Sequence, residues 1–361
     1  MTRRHALLAI GAALLVAVAC WTSARRSALV VYCAHDSIYS EKILRDFEKR
    51  TGIPVAIRFD TEATKSLGLT ELLVAEKDAP RCDVFWNNEL LGTLDLAERG
   101  ILEPWSGAGS ARIPTAFKDP GGRWTGFAAR LRVYIFNTQS TQVEGGVIDP
   151  NSLVDDKIFR MTAVKHAWPE DRSISPRADL SRMAIAKPLY GTTLTHYCVL
   201  WNAWGDARLK TWHQDWRRRH VREMNGNAAV KDAVAEGVCD SGFTDTDDFF
   251  AAKDEGKPVS MMPVRLENNA TICIPNTVAI IRGTKRQTNA RKLVDFLLSE
   301  ETELALANSK SRQIPLGPVP AEQLSAEVRE LVEWAKDGVD LTKLGPVRAA
   351  CLAWLKAEYL R

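Results

Sequence analysis

An α/β fold with parallel, doubly wound sheets is predicted by three observations. Short apolar runs alternate with amphipathic stretches, the runs carry β-branched and aromatic residues, and glycine or proline punctuates the joins. Leu29-Val30-Val31-Tyr32 reads as a first strand. Ser37 can cap a helix with Tyr39, Ile43 and Phe47 on one face, stopping at Gly52. Val55 to Phe59 is a second strand, followed by a helix carrying Leu69, Leu72 and Leu73. Asp83-Val84-Phe85-Trp86 is the third strand, after the Pro80 turn. Leu90, Leu91, Leu94 and Ala97 mark the next helix, ended by Gly100.

The theme recurs further along. Arg130 to Asn137 reads as a long strand, and Met183 to Ala186 as another, with a tryptophan-rich helix behind it. Asn227 is placed as the cap of a helix from Val230 to Ala235. Cys239 to Phe243 is a strand running into Thr244-Asp245-Thr246-Asp247-Asp248. Thr277 to Ile281 is apolar again, a helix spans Arg291–Ala307, and tail helices run through Leu324–Trp334 and Val347–Tyr359. There is no internal repeat.

Composition is ordinary for a globular protein: 45% of residues are apolar, 26% charged, and the net charge is +3. The length suits two domains better than one. The one dense basic run, Arg217-Arg218-Arg219-His220, follows Trp212 and Trp216 at helical spacing. It reads as a solvated helix end with its tryptophans in the core, so nucleic-acid binding is not expected. In parallel sheets ligands bind beyond the carboxyl ends of the strands. That rule points to the loops Cys33–Ser37, Asp60–Thr64 and Asn87–Glu89, and with them to His35, Asp36, Glu62, Asn88 and Glu89.

The acidic run from Thr244 to Asp248 places three carboxylates in five positions, where like charges oppose joint ionisation. Either a helix N-terminus or a bound ligand must offset them. In the first case Asp245 or Thr246 is the N-cap, and Asp247 and Asp248 occupy the favoured first turn. In the second the run is a binding site. Both readings stand at this level, and they can coexist.

The N-terminus sets the compartment. Arg3-Arg4 precede an apolar run from Ala6 to Ala19, too short to span a bilayer and typical of a signal peptide over residues 1–20. Cys20 after Val18-Ala19 resembles the lipidated cysteine of a bacterial lipobox, and Thr2-Arg3-Arg4 resembles a twin-arginine signal. An uncleaved anchor is the alternative. The expected location is the periplasm or the outer face of the inner membrane, with membrane contact only through the lipid anchor. Six further cysteines form no CxxC pair. They read as small buried hydrophobes or one or two bridges, Cys239 with Cys273 being favoured over Cys33 with Cys82.

Ordered segments carry a specific resemblance. They are Val31-Tyr32-Cys33-Ala34-His35, Asp83-Val84-Phe85-Trp86 with Asn88-Glu89, Arg130-Leu131-Arg132-Val133-Tyr134, Pro188-Leu189-Tyr190-Gly191, Asn227-Ala228-Ala229-Val230, Ala235 through Asp248, Asn276-Thr277-Val278-Ala279, and the helix Ala290–Leu298. Together they resemble the bacterial extracellular solute-binding proteins of ABC importers, in the group that includes the periplasmic ferric-iron-binding proteins. The resemblance implies a bilobed periplasmic-binding-protein-like fold (type II). Two doubly wound α/β lobes are joined by crossover strands near Gly126–Asn137 and Pro258–Ile281, and they close on ligand by hinge motion. Residues 28–127 with 275–320 would form lobe I, residues 128–274 lobe II, and residues 321–361 C-terminal helices. It also implies a monomer that takes a small-molecule or ion ligand and works with an ABC permease and its ATPase.

Carried over residue by residue, the resemblance places the relatives' two metal-binding tyrosines at Asp247 and Asp248, and a preceding asparagine at Asp245. The relatives' cleft histidine falls one position from His35, and their glutamate at Asn88 beside Glu89. Their anion site maps to Tyr190, Gly191, Thr192 and Asn227, where backbone N–H groups can face an anion. The expected ligand set is His35, Asp36, Glu62, Asn88, Glu89, Gly191, Thr192, Asn227, Asp245, Thr246, Asp247 and Asp248. A ferric ion would use His35, Glu89, Asp247 and Asp248, as cargo rather than cofactor; no resident cofactor is expected. Carboxylates suit hard cations, but the tandem tyrosines are gone. An organic cation such as thiamine or a polyamine would pair with Asp247, Asp248 and Glu89 and use Trp86 for cation–π contact. A zwitterion or a phosphonate-like anion would use the Gly191–Thr192 helix end with Arg130 or Arg132, which otherwise read as interlobe ion pairs. A metal-dependent exported hydrolase is the remaining class. Against catalysis, the chain has no Gly-x-Ser-x-Gly elbow and no His-Glu-x-x-His helix, and His166, His196, His213 and His220 are scattered, the last two on a helix expected to face solvent.

Overall fold

The computed structural model describes residues 28–60, 67–140 and 179–359. The signal segment, Cys20 and Glu62 lie outside the described residues. Lobe I begins with β1 (Leu29–Cys33), α1 (Ser37–Thr51), β2 (Val55–Phe59), α2 (Leu67–Ala75), β3 (Val84–Asn87) and α3 (Leu91–Glu98). β1 pairs in parallel with both β2 and β3, so the expected doubly wound start is present. Short β4 (Leu102–Glu103) and α4 (Ala108–Ala111) lead to β5 (Thr125–Asn137), thirteen residues that are buried throughout.

β5 is the crossover. Its first half pairs antiparallel with β10 (Cys273–Ile281), which itself pairs with β3. Its second half pairs with β8 (Ser241–Asp245) and β9 (Val259–Pro263). One strand therefore enters both lobes, and β8 continues into β6 (Met183–Ala186) and β7 (Arg222–Met224) in parallel. The sheet order is β2-β1-β3-β10-β5-β8-β6-β7. Where β5 and β10 cross between lobes, both are irregular: Ala128 has φ 41°, and the register shifts between Ile274 and Asn276. The Asn276 amide bridges the two by donating to the Ala128 carbonyl and to Gln313 Oε1.

Lobe II adds α5 (Gly191–Trp204), α6 (Asp206–Arg218), α7 (Asn227–Ala235) and α8 (Thr246–Asp254). Trp212 and Trp216 are buried as expected. His213 is a correction: it too is buried, with Nδ1 hydrogen bonded to the Tyr197 hydroxyl at 3.0 Å, because α6 packs against both α5 and the tail. The predicted Arg291–Ala307 helix is two helices, α9 (Gln287–Leu297) and α10 (Glu300–Ala307). Ser299 breaks them by capping the second through the Thr302 N–H. The tail forms α11 (Ala326–Ala335) and α12 (Gly345–Tyr359). α12 packs on α5 and α3, so it touches both lobes. Arg348 pairs with Asp95 of α3 at 2.9 Å, while Arg217 of α6 pairs with Glu358 at 3.2 Å. No helix among the described residues is long and apolar enough to cross a membrane.

Candidate functional site

The acidic run sits where β8 turns into α8. Asp245 is the N-cap residue, but its side chain makes no cap hydrogen bond. It turns instead to Arg132, its direct cross-strand partner on β5. Arg132 Nη1 donates to Asp245 Oδ1 at 2.8 Å, and the Thr192 hydroxyl and Asn227 amide donate to Oδ2 at 2.6 and 3.0 Å. Arg132 is 0% exposed, and its Nη1 also reaches Thr192 Oγ1 and Asn227 Oδ1. Asn227 was expected as a helix cap; the N-cap is Gly226, and the Asn227 side chain is spent on this network. Gly242 permits the approach, since a Cβ there would lie 2.6 Å from Val230 of α7. Four elements, β5, β8, α5 and α7, are thus tied at one buried point.

Side chains alternate along a strand, so Arg130 shares the face of Arg132. Its Nη2 donates to the Asn88 carbonyl of lobe I at 2.7 Å, and its Nη1 lies 3.5 Å from Asp247 Oδ2 of lobe II. This is an interlobe tie. Burial opposes the charge on Arg130, but Asp247, Asp245, Asp36 and Asp248 hold its pKa above the ordinary value. Asp248 accepts from the Thr244 hydroxyl at 2.7 Å.

These groups line a cleft of about 270 Å³, near the lower end of small-solute pockets. Asp36, Ile38, Tyr39 and Asn88 come from lobe I, and most of the remainder from lobe II. Of the predicted residues, Asp36, Asn88, Gly191, Thr192, Asn227, Asp245, Asp247 and Asp248 are brought together here. Three are not among the lining residues. Thr246 is buried, its hydroxyl accepting from the Leu131 N–H at 3.3 Å. Glu89 accepts from the N–H groups of Leu91 and Gly92 and serves as an anionic cap for α3. Burial raises its pKa even so, against those two N–H groups. His35 is buried against Trp86, ring centroids 5.3 Å apart, and its Nε2 meets the Gln313 amide. The ferric set of His35, Glu89, Asp247 and Asp248 is therefore not assembled: two of its members belong to lobe I packing. Trp86 is fully buried and holds Asn276, so it offers no cation–π face to the cleft.

Sequence reasoning missed Tyr39, Lys187 and Lys231, all of which line the cleft. The lysines had no signal beyond lying close to the ends of β6 and α7. Tyr39 was assigned to a core face. Burial, then Asp247, Asp36 and Asp248, push its phenol up to about 12; it is a hydrogen-bond donor at neutral pH. The helices α5 and α7 both open into the cleft without a side-chain cap bond. Gly191, first residue of α5, has φ 59°, which glycine tolerates best. The lining charges are mixed: the carboxylates Asp36, Asp245, Asp247 and Asp248 stand with Arg130, Lys187 and Lys231, while Arg132 lies behind Asp245 and Lys231 also pairs with Asp232.

A pair of α/β lobes with a polar cleft, joined by shared strands, is the arrangement of a solute-binding class of protein. The model of the bacterial extracellular solute-binding protein family matches residues 42–338, and the chain belongs to that family. It is 24% identical over 277 residues to iron uptake protein A1 of Synechocystis, covering 72% of this chain and 70% of that one. Its fold is similar to iron-bound HitA from Pseudomonas aeruginosa at TM-score 0.72 and 19% identity, with 91% and 98% of the two chains covered. It is also similar to AfuA from Actinobacillus pleuropneumoniae with fructose-6-phosphate bound, at TM-score 0.70 and 18% identity, covering 92% and 98%.

Proposed function

We propose that this chain is the extracytoplasmic receptor of an ABC importer and captures a small solute bearing an anionic group on a polar or cationic body. It hands the solute to a permease and carries no catalytic residue. The observation that carries this reading is that the cleft is lined by groups of both kinds. Uncapped N-termini of α5 and α7 open into it beside Lys187 and Lys231, and Asp36, Asp247, Asp248 and the Tyr39 phenol line it too. A phosphate or phosphonate suits the helix ends and lysines, and hydroxyls or an ammonium group suit the carboxylates. The sugar phosphate in the AfuA structure is of this kind.

A second reading is ferric iron, as the names of other relatives suggest. Oxygens of Asp245, Asp247 and Asp248 lie within 4.8 Å of one another. Asp245, however, is committed to Arg132, Thr192 and Asn227. The test is stabilisation of the purified protein by glucose-6-phosphate, 2-aminoethylphosphonate or ferric citrate. A ligand at 100 times its Kd adds about 2.7 kcal/mol. Stabilisation by an organophosphate that is lost in D247N/D248N supports the first reading. A response to ferric citrate alone supports the second, and none from all three overturns both.

A further inference from the structure

We propose that Cys198 and Cys351 form a disulfide that fastens the C-terminal helix α12 to α5. α12 packs on α5, the Cys351 thiol is the leading influence on that of Cys198, and both residues are 0% exposed within one apolar cluster. The flanking rings show independently that the two helices meet here. Trp354 lies 6.5 Å from Tyr197 and 5.8 Å from Trp201, centroid to centroid. Residues three apart share a helix face, so Cys198 and Cys351 lie on the faces that carry Trp201 and Trp354. Other thiols are differently engaged. Cys33 and Cys82 reach backbone carbonyls at 3.7 and 3.1 Å. The charged neighbours of Cys239 are Arg222, Arg182 and Asp240, whereas Cys273 responds to burial alone, so the Cys239–Cys273 pairing has no support here.

An extracytoplasmic compartment keeps such a pair oxidised. The thiolate of one cysteine attacks the disulfide of an oxidant, forming a mixed disulfide and expelling one thiolate. The second cysteine then attacks the bonded cysteine sulfur, forming the new S–S bond and expelling the other thiolate. Two electrons and two protons leave the protein, and the oxidant's disulfide becomes two thiols. The neighbouring Cys351 thiol and burial hold the folded Cys198 thiol protonated, so the reaction belongs to the folding chain, before the α5–α12 seam closes. Cys351 lies beyond residue 338, where the family match ends.

The test does not depend on the solute. The full chain is reduced, unfolded, refolded with glutathione disulfide, alkylated and digested without reduction. The expected result is a Cys198–Cys351 linked peptide, two hydrogens lighter than its parts, with Cys33, Cys82, Cys239 and Cys273 alkylated once the protein is unfolded. In C198A/C351A that peptide is absent and no other linkage replaces it. Linkage of other cysteines in the wild type, or six alkylated thiols, overturns the proposal.

Discussion

Asp245→Asn separates the two jobs of the acidic run. Among the described residues, Asp245 is the one carboxylate paired with Arg132, a guanidinium with 0% exposure. Replacing it with an amide of the same shape leaves a buried charge uncompensated and turns two acceptor bonds from Thr192 and Asn227 into mismatched ones. Removing one partner of a buried pair costs about 3–5 kcal/mol. Asp247 makes a longer contact of 3.5 Å to Arg130, so Asp247→Asn costs about 1 kcal/mol. Urea titration of the apo proteins measures both. Unchanged m-values with a much lower midpoint for Asp245→Asn are expected. Adding Arg132→Met to Asp245→Asn recovers part of the loss, because the stranded charge goes with it. A loss below about 1 kcal/mol for Asp245→Asn, or no recovery in the double variant, refutes the idea that this network holds lobe II together.

Other outcomes follow from the same geometry. Burial, reinforced by Arg217, lowers His213 from 6.5 to about 4. The unfolded chain therefore takes up its proton first, and stability falls as pH drops from 6.5 toward 4, by about 2 kcal/mol at pH 5. His196, lowered by burial and Arg132, acts in the same sense, while the raised Glu89 partly offsets it; a shallower slope in His213→Gln, followed by thermal melts across pH, checks the assignment. Glu89→Gln weakens the cap of α3 and lowers stability by about 1 kcal/mol, while solute affinity in calorimetry stays unchanged. Gly191→Ala forces a positive φ on alanine and costs about 1 kcal/mol, read in the same urea titration. Lys231→Ala weakens organophosphate binding about tenfold with little change in apo stability.

The alternation of strands and helices in lobe I was legible because each element carries its own period and stop signal, from Ser37 to Gly52 and from Leu90 to Gly100. The single Arg291–Ala307 helix was misread because its apolar face continues across Ser299, whose capping bond is visible only in three dimensions. Carboxylates at Asp245, Asp247 and Asp248 were correctly flagged as needing an offset. Their compensation by Arg130 and Arg132 lies more than a hundred residues away, across β5 and β8, and no local pattern encodes it. His35 and Glu89 sat in the right loops but turn inward, because the packing of Trp86 and the N-terminus of α3 claim them. Asp248 and Lys231 line the cleft because they lie beside the starts of α8 and α7, where those helices open into it.

The mixed charges of the cleft have a consequence for encounter. A receptor with a strongly one-signed pocket draws its ligand from a distance, and its association slows steeply as salt screens the field. Here carboxylates and cations are interspersed in one small volume, with Arg132 buried behind Asp245, so their fields largely offset one another. Capture then depends on how a solute's own charges are spaced once it is inside. Association should change little with ionic strength, and selectivity becomes a matter of pattern rather than of net attraction.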